Sequence, residues 1–149
     1  MLSTLHTNSA VGAIARLRDM GVEPFLLSSS LIGLLAQRLV RVLEPATRQT
    51  YAATPRELAA FGKPADTVAT LYRANAEGGR HTGYRGRTGI YEFVPVDDAM
   101  RALIHAGAAE AELERHARSR SPSILEDGWD KCLAGVTSAE EVLRVTREE

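Results

Sequence analysis

The sequence has 149 residues, of which 44% are apolar, 25% charged and only 5% aromatic, the profile of a soluble globular chain with room for one ordinary domain or two very small ones. A single cysteine, Cys132, excludes a disulfide framework and any four-thiolate metal site. The formal net charge is -1, spread as +2 over residues 1–43, +2 over 44–96 and -5 over 97–149, so no part carries the basic footprint of a DNA-binding module.

Leu2 to His6 reads as a short strand, with no cationic stretch ahead of it to suggest a secretory leader. Ser9 predicts an N-cap for a helix from Ala10 to Met20, with Val11, Ile14 and Leu17 on one face and Gly21 as its stop. Pro24 suits the first turn of a second helix, Phe25 to Gln37. That helix is apolar nearly all round and is expected to be deeply buried. Its most apolar run, Phe25 to Leu35, is broken by Ser28, Ser29 and Ser30 and followed by Arg38 and Arg41. It is too short to span a bilayer, which needs about 20 apolar residues. Arg38 to Leu43 fits either a strand or a helix tail.

Glu44 to Thr82 holds three prolines, several small residues and Gly78-Gly79. Within it, Thr54-Pro55-Arg56-Glu57 is a capping box with proline in the first turn, so a short helix runs to Phe61. The remainder reads as an irregular, semi-independent insertion. Gly89 to Val96 is a β-rich run. Asp97 then caps a helix bearing Met100, Leu103 and Ile104, ended by Gly107. Further helices are predicted over Ala108–Arg118, over Ile124–Leu133 with Trp129, and after the overlapping capping boxes of Thr137-Ser138-Ala139-Glu140-Glu141.

Few residues carry chemistry. The phosphate-loop pattern G-x-x-x-x-G-K-[ST] is absent, since Gly62-Lys63 is followed by Pro64 and has Glu57 where the first glycine belongs. H-E-x-x-H and G-x-S-x-G are absent too. His6, among Ser3, Thr4, Thr7 and Asn8 and just before a predicted helix start, is the first candidate, because unpaired helix-start N–H groups attract anions. The plainer reading is that Thr7, Asn8 and Ser9 only cap the helix. The second candidate is Gly83-Tyr84-Arg85-Gly86-Arg87-Thr88-Gly89. Arg85 and Arg87 suit bidentate carboxylate pairing, within the chain with Glu92 or across to a neighbouring subunit. The mild charge argues against nucleic acid there. His81, His105 and His116 lack ligand-spaced partners, and Cys132 reads as a small core residue.

Three separate blocks then make the sequence recognisable. They are Leu2-Ser3-Thr4-Leu5-His6-Thr7-Asn8 through Arg41, His81-Thr82-Gly83-Tyr84-Arg85-Gly86-Arg87-Thr88-Gly89-Ile90-Tyr91-Glu92, and Glu126-Asp127-Gly128 into Leu133-Ala134-Gly135-Val136-Thr137 and the final helix. In this order they resemble the type II/IV secretion ATPase family, in its type II traffic ATPase (E component) branch, everywhere except Gln49 to Asn75. The type IV pilus assembly ATPase branch is the nearest alternative, and Leu26-Leu27-Ser28-Ser29-Ser30 leans toward secretion.

The resemblance implies an α/β fold: the C-terminal part of a RecA-like P-loop ATPase domain plus a small, mostly helical C-terminal domain. Residues 1–43 would belong to the RecA-like core, starting in the His box. Residues 44–82 would replace a zinc-binding lobe, and 83–149 would form the C-terminal β/helical domain. His6 would be the His-box histidine facing the nucleotide phosphates. The family's upstream motifs are not in this sequence, so the resemblance implies a C-terminal fragment with a truncated or supplied Met1, unable to hydrolyse ATP alone. The intact protein would use ATP and Mg2+, assemble as a homo-hexamer and drive pseudopilus assembly. It would sit in the cytoplasm, peripheral to the inner membrane through platform proteins, and bind no nucleic acid. A non-catalytic interaction module is the competing reading. The family's two Cys-x-x-Cys pairs would fall at Glu44 and Thr47 and at Ala76 and Gly79. None is cysteine, so zinc is not expected.

Overall fold

The computed structural model describes residues 1–76 and 82–147. In chain order these form α1 (Gly12–Asp19), α2 (Pro24–Ser30), β1 (Gly33–Leu43), β2 (Gln49–Ala52), α3 (Pro55–Ala60), β3 (Thr70–Arg73), β4 (Tyr84–Pro95), α4 (Asp98–His105), α5 (Glu110–Arg120), α6 (Ile124–Leu133) and α7 (Ala139–Thr146). The chain is therefore a mixed helix-and-sheet protein. It divides into two compact units, Met1–Ala36 with Glu92–Ser123, and Gln37–Tyr91 with Ile124–Glu149.

The first unit gathers Val11 and Ile14 of α1, Leu27 of α2, Leu34 and Val94 of the strands, Met100 and Ile104 of α4 and Leu113 of α5 into one core. Polar side chains tie off the helix ends. Asp97 accepts the Met100 N–H at 2.7 Å and so caps α4. Arg18 donates to the carbonyls of Ala108 (2.7 Å) and Ile104 (3.3 Å), tying α1 to the end of α4 and the turn that follows it.

The second unit packs Val40, Leu58, Phe61, Leu71, Ile90, Trp129, Cys132 and Val142 together. Phe61 and Trp129 meet at 5.0 Å between ring centres. Gly128 lets α6 approach α7 closely, because a Cβ there would run into the Val142 side chain. Valine in a helix cannot swing aside. Gly128→Ala is therefore expected to lower stability by about 1–2 kcal/mol, with overpacking outweighing the gain in helix propensity. Urea denaturation checks this.

The two short strands β2 and β3 pair antiparallel, from Gln49 opposite Arg73 to Ala52 opposite Thr70. Two longer strands, β1 and β4, form the second sheet. The Val96 N–H bonds to Ile32 O and the Glu44 N–H to Gly83 O, so these strands run antiparallel. Between those two bonds β4 uses one residue more than β1. Gly86, within β4, has φ +76, a conformation that favours glycine.

Several expectations hold. The capping box at Thr54 and Glu57 is present with both of its bonds. Asp97 and Ser138 cap α4 and α7, and α6 spans the expected Ile124–Leu133. Three expectations fail. The stretch after Glu44 is no irregular, semi-independent insertion, because β2 and β3 pair within it and Leu58, Phe61 and Leu71 pack in one core with Ile90 and Trp129. Leu2 to His6 has no regular structure, because nothing among the described residues pairs with it. The expected helix Phe25–Gln37 stops at Ser30, where the Ser28 and Ser29 hydroxyls bond back to Phe25 O at 3.0 and 2.9 Å. From Gly33 the chain is strand. An apolar run facing both ways along a strand mimics a helix apolar all round. The segment is not deeply buried as a whole: Leu34 and Val40 point inward, while Ile32, Leu35 and Leu39 are exposed.

Candidate functional site

His6 lies in the irregular segment ahead of α1 and is exposed. Its neighbours are committed to the helix start. The Thr7 hydroxyl donates to Ser9 O at 2.9 Å, and the Ser9 hydroxyl accepts the Gly12 N–H at 3.0 Å. The next two N–H groups, of Ala13 and Ile14, bond to Ala10 O and Val11 O. Ser9 thus closes a turn ahead of α1, whose N-cap is Val11 with no side-chain cap rather than the expected Ser9, and the Gly12, Ala13 and Ile14 amides are all taken up locally. The His6 imidazole is exposed and takes no part in these bonds.

The Arg/Gly block divides in its roles. Residues 90, 92 and 94 of β4 face inward, and 91, 93 and 95 outward, as the two-residue period of a strand requires. Arg85 and Arg87 are exposed and carry no ion pair among the described residues. Glu92, the expected partner of Arg87, is buried and ion-paired instead with Arg118 of α5. Residues five apart in one strand lie on opposite faces, so nearness in sequence misleads here. Tyr84 is also occupied: its hydroxyl meets Ser138 Oγ at 2.7 Å and the Arg41 guanidinium stacks 4.2 Å from its ring centre. Its ring face is not open to a nucleic-acid base.

The strongest charged assembly was not visible as a site in the sequence. Glu141, buried on α7, accepts the Arg41 backbone N–H at 2.8 Å, the Arg41 guanidinium at 2.8 and 3.0 Å, and Arg144 at 2.9 and 3.2 Å. Burial opposes its charge, but these donors outweigh it and hold its carboxyl down at about 2. Only its capping spacing from Ser138 was legible. Here Ser138 does accept the Glu141 N–H, while the carboxylate reaches back to β1. Asp97 is held low by the Met100 N–H and by His116, whose Nε2 lies 2.9 Å away. These groups tie elements together: Glu141 joins α7 to β1, and Asp97 joins the start of α4 to α5.

No three His, Cys, Asp or Glu side chains come together as a metal site among the described residues. Gly79 and His81 lie outside the described residues. Burial pushes the Cys132 thiol up to about 12, which makes it a poor nucleophile and ligand. Among the described residues no helix is long and apolar enough to cross a membrane.

Residues 1–144 match the family described as type II/IV secretion system protein. The chain is 61% identical over 150 residues to a type II secretion system protein E of Pseudomonas aeruginosa, covering 100% of this chain and 30% of that protein. It is 54% identical to a type II secretion system ATPase E of Vibrio cholerae, over 99% of this chain and 30% of the relative. A putative type II secretion system protein E of Escherichia coli is 46% identical over 97% of this chain. The chain spans about 30% of the length of these relatives.

Proposed function

This chain belongs to the type II/IV secretion system protein family, and from that premise we propose that it is the C-terminal part of an ATPase that powers type II protein secretion. The observation that carries this reading is the family match across residues 1–144. In this reading residues 1–43 contribute to a RecA-like core and residues 83–149 carry the β and helical elements of its C-terminal part. The whole protein is a homo-hexamer in the cytoplasm that couples ATP hydrolysis to pseudopilus assembly through inner-membrane platform proteins.

The chain's own residues do not fit an ATP or Mg2+ site. They lack a phosphate loop, and no acidic cluster of three forms among the described residues. The part assigned to this chain is His6. Its imidazole is exposed and unclaimed by the turn beside it. An N–H donor so placed stabilises charge that develops on a transferring phosphoryl group. No zinc is part of this reading, because the four expected ligand positions hold Glu44, Thr47, Ala76 and Gly79. Elemental analysis of the purified chain is expected to find less than about one tenth of a zinc per chain, and one tightly held ion would contradict this.

The reading is tested by exchanging this chain for the matching stretch of the Pseudomonas aeruginosa relative. The exchanged protein is expected to hydrolyse ATP within about tenfold of its parent. The isolated chain is expected to show no turnover. A folded but inert exchange, or turnover by the isolated chain, would overturn it.

A further inference from the structure

The outward face of the β1–β4 ribbon within the second unit is open among the described residues except at Tyr91, where Lys131 of α6 lies 5.8 Å from the ring centre and Asp127 accepts the backbone N–H. It presents Gln37 and Leu39 from β1 and Arg87 and Tyr91 from β4, with Arg85 exposed on the other side of Gly86. The Tyr91 ring lies back over Gly89, so this face is continuous between Arg87 and Tyr91 with no gap at the glycine. Exposed leucine and tyrosine beside unpaired arginines is the composition of a protein–protein contact, in which aromatic residues and arginine are enriched.

The first unit carries the opposite charge. Glu110 and Glu112, in the first turn of α5, are exposed and make no ion pair among the described residues. Their helix position adds nothing to bind a cation. Their carboxylates simply remain without a partner.

We infer that the Arg85/Arg87 face of one copy docks on the Glu110/Glu112 end of α5 of a second copy. The charge pattern chooses the partner. A two-fold contact at this face would set Arg85 and Arg87 beside their own images, and like charges repel. A head-to-tail contact sets arginine forks against free carboxylates, the bidentate geometry that suits both. Such a contact, repeated, builds a ring where its rotation closes and an open filament where it does not. The inference rests on the ring assembly proposed above and adds which surfaces meet in it.

Charge exchange on the 149-residue chain tests it, read by sedimentation velocity. Wild type is expected to self-associate, more tightly at about 0.05 M than at about 0.5 M NaCl, because exposed pairs are screened by salt. Arg85→Glu with Arg87→Glu is expected to weaken association at least about tenfold. Adding Glu110→Arg with Glu112→Arg is expected to restore it. All four side chains are exposed, and circular dichroism confirms that each variant stays folded. A wild type that stays monomeric at low salt, a reversal without effect, or a four-fold exchange that fails to restore association each overturns the inference. So does capture of the chain by phosphatidylglycerol vesicles that is lost on arginine reversal without any self-association. Turnover of the exchanged ATPase is a separate readout. If it persists while the charge exchange fails, only the docking surface is wrong.

Discussion

Replacing Glu141 by alanine is expected to lower the unfolding free energy by about 3 kcal/mol. Removing one partner of a buried ion pair strands whatever remains. Here Arg41 and Arg144 keep 43% and 56% of their side-chain exposure and can turn to water. The Arg41 N–H cannot, and a hole is left beside Tyr84 and Ser138. The cost therefore falls at the low end of the range for buried pairs. The same residue sets an acid limit. Its folded value of about 2 lies below the ordinary 4.5. A depressed carboxyl contributes fully above its unfolded value, and that contribution is lost as pH falls from about 4.5 toward 2. Glu141→Gln is expected to flatten this part of the stability–pH curve. Asp97, also held low, keeps a smaller slope in the same direction. Denaturant midpoints between pH 2 and pH 7 decide the matter, and a slope unchanged in Glu141→Gln would contradict the assignment.

Ile104→Ala is expected to cost about 3 kcal/mol, and Ile32→Ala less than about 0.5 kcal/mol. The residue type is the same, and the environments differ. Ile104 is fully buried on α4 against the core of the first unit. Ile32 is 82% exposed between α2 and β1. A buried isoleucine cut to alanine loses transfer free energy and leaves a cavity. An exposed one loses little contact. Equal costs at the two positions would show that Ile32 is covered in solution.

How far the sequence led depended on how local each signal was. Caps and stops were legible, because a cap is made by residues three apart: Thr54 with Glu57, Asp97 with Met100, Ser138 with Glu141. The face of α4 and the extent of α6 followed from periodicity. Strands were harder. β2 and β3 have four residues each and exist through each other, with partners some twenty positions away. β1 was hidden because its two faces are both apolar, one covered and one open. The long-range pairs were out of reach altogether. Nothing near Glu141 points to Arg41, and nothing near Glu92 points to Arg118. For the candidate site, the residue pattern alone singled out His6 beside a helix start, where Thr7 and Ser9 are in fact spent on the turn into α1, and its nucleotide-facing role came only from the resemblance.

The role of His6 is the centre of the account. In the ATPase carrying this chain in place of its relative's matching stretch, His6→Ala is expected to lower kcat about 100-fold while KM for ATP changes less than about threefold. A donor that acts on developing charge stabilises the transition state and adds little to ground-state binding. Steady-state ATP hydrolysis measured across substrate concentration separates the two constants. A fall in kcat with KM preserved is the predicted result. Unchanged turnover at saturation, with weakened binding alone or with no effect at all, would contradict it.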